Sequence, residues 1–109
     1  MKVILDNTER NKKLSAAIRE HYSIAMQLVA APYSAAERET WFSQIQEADA
    51  WLADPTAATP LITSLAQSRG ISLSELVTKI KENDNIFRAT IGSLLGQQQA
   101  ELDALYNPV

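Results

Sequence analysis

The feature that most constrains this fold is a series of apolar residues spaced three or four apart along the last third of the chain. One face of an α-helix has this period, so we predict one long C-terminal helix. Ser72 followed by Glu75 is the pattern of a capping box, in which each side chain satisfies a backbone N–H at the helix start. An unbroken helix from there would span about 30 residues and about 45–50 Å, which is more than a compact chain this short needs. The apolar series comprises Leu73, Leu76, Val77, Ile80, Phe87, Ile91, Leu94, Leu95, Leu102 and Leu105.

Two earlier segments carry the same helical period. Helix 1 is predicted over residues 8–31, where Pro32 stops it because proline disfavours helical geometry in the residue before it. Helix 2 is predicted to begin at the capping box formed by Ser34 and Glu37, and to end at Asp54, which precedes a proline. The predicted buried face of helix 1 is Leu14, Ile18, Tyr22, Ala25, Leu28 and Val29. The predicted buried face of helix 2 is Trp41, Phe42, Ile45, Ala48 and Leu52.

Helix 3 is predicted to be short, covering residues 60–69, with Thr59 as its N-cap and Gly70 as its stop. Apart from a weak tendency at the N-terminus, no segment has the alternation of a β-strand. The predicted fold is therefore an all-α small bundle of about four helices that ends in a long C-terminal helix or helical hairpin. We expect a single structural unit, made of an N-terminal arm and helix 1 (residues 1–33) and a helical domain (34–109).

The composition argues against most kinds of active site. The chain has no cysteine, one histidine (His21) and three glycines, which leaves no thiolate, no histidine-based metal site and no glycine-rich phosphate loop. The acidic residues of helix 2, Glu47 among them, are predicted to be solvated surface charges. We therefore expect no catalytic, cofactor or metal site, and no enzymatic activity. No segment approaches the ~20 apolar residues of a membrane span, so no membrane partner is expected.

Nucleic acid is an unfavoured partner for this chain. Its net charge is -3, whereas phosphate backbones attract a basic surplus. The segment 65–76, with Gly70 at its centre, nevertheless has the form of a helix-turn-helix corner. The second helix of that corner carries Lys79 and Lys81 but three acidic residues close to them, which disfavours phosphate contacts. A helix-turn-helix DNA-binding regulator therefore remains the alternative, behind a plain helical corner.

Partner-binding residues are predicted mainly on the C-terminal helix. A stripe of small residues lies there, about 170° from the large apolar stripe, and interior glycines usually permit another helix to approach closely. A break of the helix at Gly92 or Gly96 is the alternative.

Trp51 is either an edge of the core or an exposed interface anchor. An apolar arm, Val3, Ile4 and Leu5, could add to a partner surface. The small-residue stripe is Ala89, Gly92, Ser93, Gly96 and Ala100. A homo-oligomer is expected, because so short a chain buries little apolar surface alone.

Several short strings are similar to a known family, and they cover residues 35–106. Four groups of residues carry the resemblance: Glu39-Thr40-Trp41 with Gln44 and Glu47-Ala48; Ala50-Trp51-Leu52-Ala53-Asp54-Pro55-Thr56; Thr59-Pro60-Leu61 with Leu65-Ala66 and Arg69-Gly70-Ile71; and Phe87-Arg88-Ala89 with Gly92, Leu94-Leu95-Gly96, Gln99-Ala100 and Asp103. They resemble a helical domain of unknown function in tailed-bacteriophage and prophage genes, where it occurs in tail-associated and tail-fibre-assembly-like proteins.

The resemblance implies a bacteriophage tail protein that acts by protein–protein binding. It implies either a tail-fibre assembly chaperone or a structural adaptor that binds a tail fibre or another virion component. The expected locations are the host cytoplasm during assembly and the virion tail. Members of the family often have a larger N-terminal domain where this chain has helix 1, so a fibre-gripping function of that domain is not implied here.

Overall fold

The computed structural model describes residues 7–107 of the chain, which form four α-helices. These are α1 (Asn7–Ala30), α2 (Ala35–Ala53), α3 (Pro60–Arg69) and α4 (Leu73–Tyr106). The prediction of an all-α fold with a long C-terminal helix is confirmed, and the predicted helix ends agree to within one or two residues. The predicted arm at Val3, Ile4 and Leu5 lies outside the described residues.

Local sequence signals account for the ends of α2 and the start of α4. The Ser34–Glu37 capping box is complete: Glu37 N donates to Ser34 Oγ at 3.1 Å, and Ser34 N donates to Glu37 Oε1 at 3.4 Å. Ser72 Oγ accepts from the backbone N–H of Glu75 at 3.0 Å. After α2, the Asp54 carboxylate accepts hydrogen bonds from the Thr56 hydroxyl and backbone N–H, which lower the pKa of Asp54.

The start of α3 uses a different cap from the predicted one. Thr59 is the N-cap residue, but its hydroxyl makes no capping bond and instead shares a hydrogen bond with the Thr63 hydroxyl at 3.0 Å. Glu47 of α2 supplies the cap: its Oε1 accepts from Leu61 N at 2.9 Å and from Ile62 N at 3.2 Å. The prediction that Glu47 is a solvated charge is therefore wrong. A carboxylate at a helix N-terminus satisfies two N–H groups and also interacts with the positive end of the helix dipole.

The corner between α3 and α4 depends on Gly70. Its φ of 69° and ψ of 32° are left-handed values, which side chains disfavour and glycine tolerates. Gly70 N donates to Gln67 O at 3.2 Å and Ile71 N donates to Ala66 O at 3.1 Å. These two bonds satisfy carbonyls that the end of α3 would leave unpaired.

The described chain divides into two compact units. Unit 1 contains α1 and the second half of α4, from Thr90. Unit 2 runs from Pro32 to Ala89 and contains α2, α3 and the first half of α4. Helix α4 is thus one element that contributes to both units.

Unit 2 has a small apolar core between its three helices. The predicted burial of Ala48 is confirmed, but Phe42 and Leu52 are 70% and 56% exposed, so their predicted burial is wrong. The covered side of α2 is rotated by roughly 70° from the predicted one, at 100° per residue. The Glu47 bond to α3 accounts for this rotation, because it requires the side of α2 that bears Glu47 to face α3. The core residues are Ala48, Ile62, Ala66, Leu76, Val77 and Ile80.

Unit 1 is a pair of helices whose most buried side chains on α1 are Ser15 and Tyr22. Ser15 Oγ donates to Lys12 O at 3.0 Å, which satisfies the buried hydroxyl. A hydrogen bond to the Glu101 carboxylate, then burial and the carboxylate charge, raise the pKa of Tyr22. The predicted burial of Tyr22 is confirmed, whereas that of Leu14 and Leu28 is wrong because both are exposed.

Replacing Glu47 should destabilise the fold. Glu47→Ala leaves two N–H groups at the start of α3 without their acceptor, and we expect a loss of about 1–2 kcal/mol in the free energy of unfolding. Glu47→Gln keeps an acceptor oxygen and should lose less. Glu39→Ala removes an exposed carboxylate from the same helix and should change stability by less than about 0.5 kcal/mol. Urea denaturation followed by circular dichroism measures all three, and equal effects of the two alanine variants would contradict the capping assignment.

The raised pKa of Tyr22 predicts a loss of stability in base. The protonated phenol is favoured in the folded state, so its contribution is complete below the unfolded pKa of about 10 and falls as the pH rises through the folded value. Tyr22→Phe removes the hydrogen bond to Glu101, so it should lower the free energy of unfolding at neutral pH and remove this part of the pH dependence. Tyr106→Phe, which removes an exposed hydroxyl, should do neither. Urea midpoints between neutral pH and about pH 11 test this, and an unchanged alkaline slope in Tyr22→Phe would refute it.

Candidate functional site

The predicted small-residue stripe lies on an unbroken helix. Helix α4 continues through Gly92 and Gly96, so a break at either glycine is ruled out. All five stripe residues are exposed, Ala89 in unit 2 and the other four in unit 1. A Cβ built on Gly92 or Gly96 would meet no atom within 4 Å in the described part of the chain. The chain's own packing therefore does not require glycine at these positions, and their use by a partner stays a prediction.

The other predicted partner-binding residues have separate placements. Trp51 is half-buried in unit 2 and packs against the core cluster there, which corresponds to the core-edge alternative. Its function as an interface anchor stays a prediction. Val3, Ile4 and Leu5 lie outside the described residues, so the predicted sites are not brought together into one surface by the described structure.

Helix α1 and Ala31, which follows it, carry a second stripe, apolar except for His21, that the sequence analysis missed. Its residues are spaced three or four apart and are all exposed; Leu28 and Ile24 are 66% and 49% exposed. The stripe lies about 105° around the helix from the covered stripe that contains Ser15, Ile18 and Tyr22. The heptad-like spacing could have revealed it, but Leu14 and Leu28 were assigned to the buried face of helix 1 and the other four residues were assigned to no face. We call it the outer stripe: Leu14, Ala17, His21, Ile24, Leu28 and Ala31.

Unit 2 contains a concave cavity bordered by three aromatic rings, which we call the aromatic cleft. The ring centroids of Tyr33 and Trp41 are 5.1 Å apart with planes at 78°, and those of Trp41 and Phe87 are 5.0 Å apart at 62°. Such edge-to-face pairs hold the rings in fixed orientations. The cavity volume is about 290 Å³. Its remaining lining residues are Phe42, Gln44, Ile45, Ile80, Asn83, Asp84 and Arg88.

A carboxylate lies among these rings. The Asp84 side chain is only 7% exposed, and its Oδ1 accepts from Arg88 Nε at 3.1 Å. The Arg88 side chain, one helical turn later, is 72% exposed. Within residues 7–107, the Asp84 carboxylate accepts a hydrogen bond only at Oδ1, from Arg88, and no buried side-chain oxygen there lacks a partner; the second oxygen, Oδ2, is therefore in contact with solvent. The cleft therefore combines aromatic surface with an acceptor that has capacity left.

Other site types are not found in the described residues. Among them, no group of three or more His, Asp or Glu side chains could hold a metal ion. No helix from residue 7 to residue 107 is both long enough and apolar enough to cross a membrane.

Comparison with known proteins provides no family assignment. No protein-family model, curated protein or solved structure matches this chain. The resemblance to the helical domain of phage tail-associated proteins therefore stays a prediction, and the outer stripe and the aromatic cleft have to be interpreted from their own chemistry.

Replacing both α4 glycines should stabilise the isolated chain. Alanine is favoured over glycine in a helix interior by about 1 kcal/mol per site, and there is room for each added methyl group. We expect Gly92→Ala/Gly96→Ala to raise the free energy of unfolding by about 1–2 kcal/mol. Gly70→Ala is the contrasting variant and should destabilise, because its φ is left-handed. If the double variant is less stable than the parent protein, the two positions are closely packed against something and the assignment of open space is wrong.

Proposed function

We propose that this protein is a bacteriophage tail protein that acts by binding other proteins, with the outer stripe of α1 as its principal docking surface. The phage context rests on the sequence resemblance, which implies an assembly chaperone or an adaptor for a tail fibre or another virion component. The docking mechanism is supported by one observation: α1 has two mainly apolar stripes, and the part of the chain that the structure describes covers only one of them.

The outer stripe has the spacing of a helix–helix contact. Positions 14, 17, 21, 24, 28 and 31 alternate steps of three and four residues, as the core positions of coiled coils and helical bundles do. Covering an exposed leucine or isoleucine side chain contributes about 1.5–3 kcal/mol. A pair of helices cannot surround such a stripe, whereas a bundle of three or four helices can.

A second copy of this chain is the first occupant that we propose for the outer stripe. The described part of unit 1 carries four basic and four acidic side chains, so like-charge repulsion does not oppose the pairing of two such units. Self-association would also compensate for the small core of a short chain. We propose that the resulting oligomer is the form that engages the tail component.

The DNA-binding alternative receives less support from the same molecule. Lys81, one of the two lysines near the start of α4, forms an ion pair with Asp49 of α2 at 2.7 Å. This pairing reduces the positive charge that the predicted recognition helix could direct at phosphates. A helix-turn-helix regulator consequently stays an alternative without a specific observation in its favour.

Charges placed on the outer stripe should prevent self-association. We expect the parent protein to sediment as an oligomer, and Ile24→Glu/Leu28→Glu to sediment as a folded monomer, because two carboxylates on the contact would have to be desolvated. Phe42→Glu/Leu52→Glu places the same charges on exposed apolar positions of α2 and should leave the oligomer intact. Sedimentation equilibrium measures the mass, and circular dichroism checks the fold. A monomeric parent protein at high concentration would refute this docking surface.

The phage assignment is tested separately. In a lysogen or phage that encodes this chain, an adaptor should be present in purified virions at a constant ratio to the tail proteins. An assembly chaperone should instead co-purify with an unassembled tail fibre and be absent from virions. Absence of both associations, in a strain where the protein is expressed, would overturn the tail function while leaving the oligomer result unaffected.

A further inference from the structure

We propose that the aromatic cleft of unit 2 is a binding site for an organic ammonium group, which it would hold between the aromatic rings and the buried carboxylate of Asp84. The occupant would be a quaternary or alkylated ammonium ion. This site is independent of the outer stripe, since it lies wholly within residues 32–89.

The ring geometry suits a compact cation. Tyr33, Trp41 and Phe87 border one concavity, and neighbouring ring planes are inclined at 78° and 62°. A small group in the cleft would therefore meet ring surfaces from more than one direction. The ring faces carry negative charge density, and tryptophan binds cations most strongly among the three ring types. The cavity volume of about 290 Å³ is at the lower end for ligand pockets, which favours a small group.

The Asp84 carboxylate distinguishes this cleft from a purely apolar groove. Its side chain is 7% exposed, its Oδ1 accepts from Arg88, and its Oδ2 has no donor within residues 7–107 and contacts solvent. A ligand that enters the cleft displaces water from this oxygen, and a cation then compensates the carboxylate charge that the water had solvated. An uncharged apolar group would displace the same water without compensating the carboxylate charge, which costs free energy.

The nearby Arg88 does not cancel this preference. Its side chain is 72% exposed whereas that of Asp84 is 7% exposed, so water screens the guanidinium charge more than it screens the carboxylate. Unit 2 as a whole carries eight acidic and five basic residues. The net charge of unit 2 therefore favours a cation over an anion, while the two charged side chains that line the cleft, Asp84 and Arg88, have opposite signs.

Two probes of the same shape separate charge from apolar contact. Choline carries a trimethylammonium group, and neohexyl alcohol carries an uncharged tert-butyl group in its place. The full-length Trp51→Phe variant leaves Trp41 as its one tryptophan, whose indole N–H signal is followed by NMR during each titration. We expect choline to bind at least about tenfold more tightly than neohexyl alcohol, which corresponds to about 1.4 kcal/mol. Equal affinities, tighter binding of the alcohol, or no saturable shift with choline would each overturn the proposal.

Variants of the same background locate the effect. Asp84→Asn keeps the side-chain shape and should weaken choline binding while leaving neohexyl alcohol binding unchanged; the choline preference that remains is the contribution of the rings. Glu82→Gln removes the same charge from an exposed position on the same helix and should leave choline affinity within about twofold, since exposed charges are screened. Arg88→Gln removes the competing charge and should strengthen choline binding. If Asp84→Asn and Glu82→Gln weaken binding equally, the site is overturned, because only the overall charge then matters.

The source of the ammonium group is resolved by two further probes. One is the methylamide of N-acetyl-lysine and the other is its trimethylated form, each compared with choline. Tighter binding of either lysine probe than of choline would assign the cleft to a protein side chain. Tighter binding of choline than of both would assign it to a free small molecule. Failure of all three probes to shift the Trp41 signal would overturn the site altogether.

Discussion

Unit 2 depends on one polar contact, between the Glu47 carboxylate and the first two free N–H groups of α3. A helix start that is not capped leaves N–H groups without partners, and Thr59 does not satisfy them here. Because Glu47 lies on α2, the contact determines which side of α2 faces α3. It therefore also determines that Ala48 enters the core and that Phe42 and Leu52 remain exposed. The aromatic cleft follows from this rotation, since Trp41 then lies beside the first half of α4 and contacts Phe87.

The small size of each unit explains why the chain exposes so much apolar surface. Unit 2 buries six apolar residues between three short helical segments, and unit 1 has only two helices to cover each other. A helix with two apolar stripes can cover both only in a larger assembly. In this interpretation, the outer stripe of α1 and the small residues of α4 are features of a protein that completes its packing with another chain. The aromatic cleft is different, because the Asp84 carboxylate among its rings would favour a cationic ligand over an apolar chain.

The sequence predicted the helices well and their buried sides less well. Ser34, Ser72, Gly70 and the prolines act on the residues next to them, so their effects could be recognised without knowing what lies elsewhere. In contrast, the predicted burial of Leu14, Leu28, Phe42 and Leu52 was wrong. On both helices, apolar residues extend around more of the circumference than one neighbouring helix can cover. The three- and four-residue spacing does not show which of these residues the neighbour covers. The candidate sites were harder still, since Asp84 was counted only as one acidic residue near a helical corner.

The sequence by itself determined that this chain is helical, where its helices begin and end, and that it lacks cysteine-based chemistry. These properties arise from backbone capping, proline and glycine geometry and composition, which act over a few residues. Only the tertiary structure decided that Glu47 caps a neighbouring helix, that the outer stripe is left uncovered, and that Tyr33, Trp41, Asp84 and Phe87 surround one cavity. The four cleft residues are up to 54 positions apart in the sequence. They come together because of the way the helices are rotated against each other, which no local sequence pattern predicts.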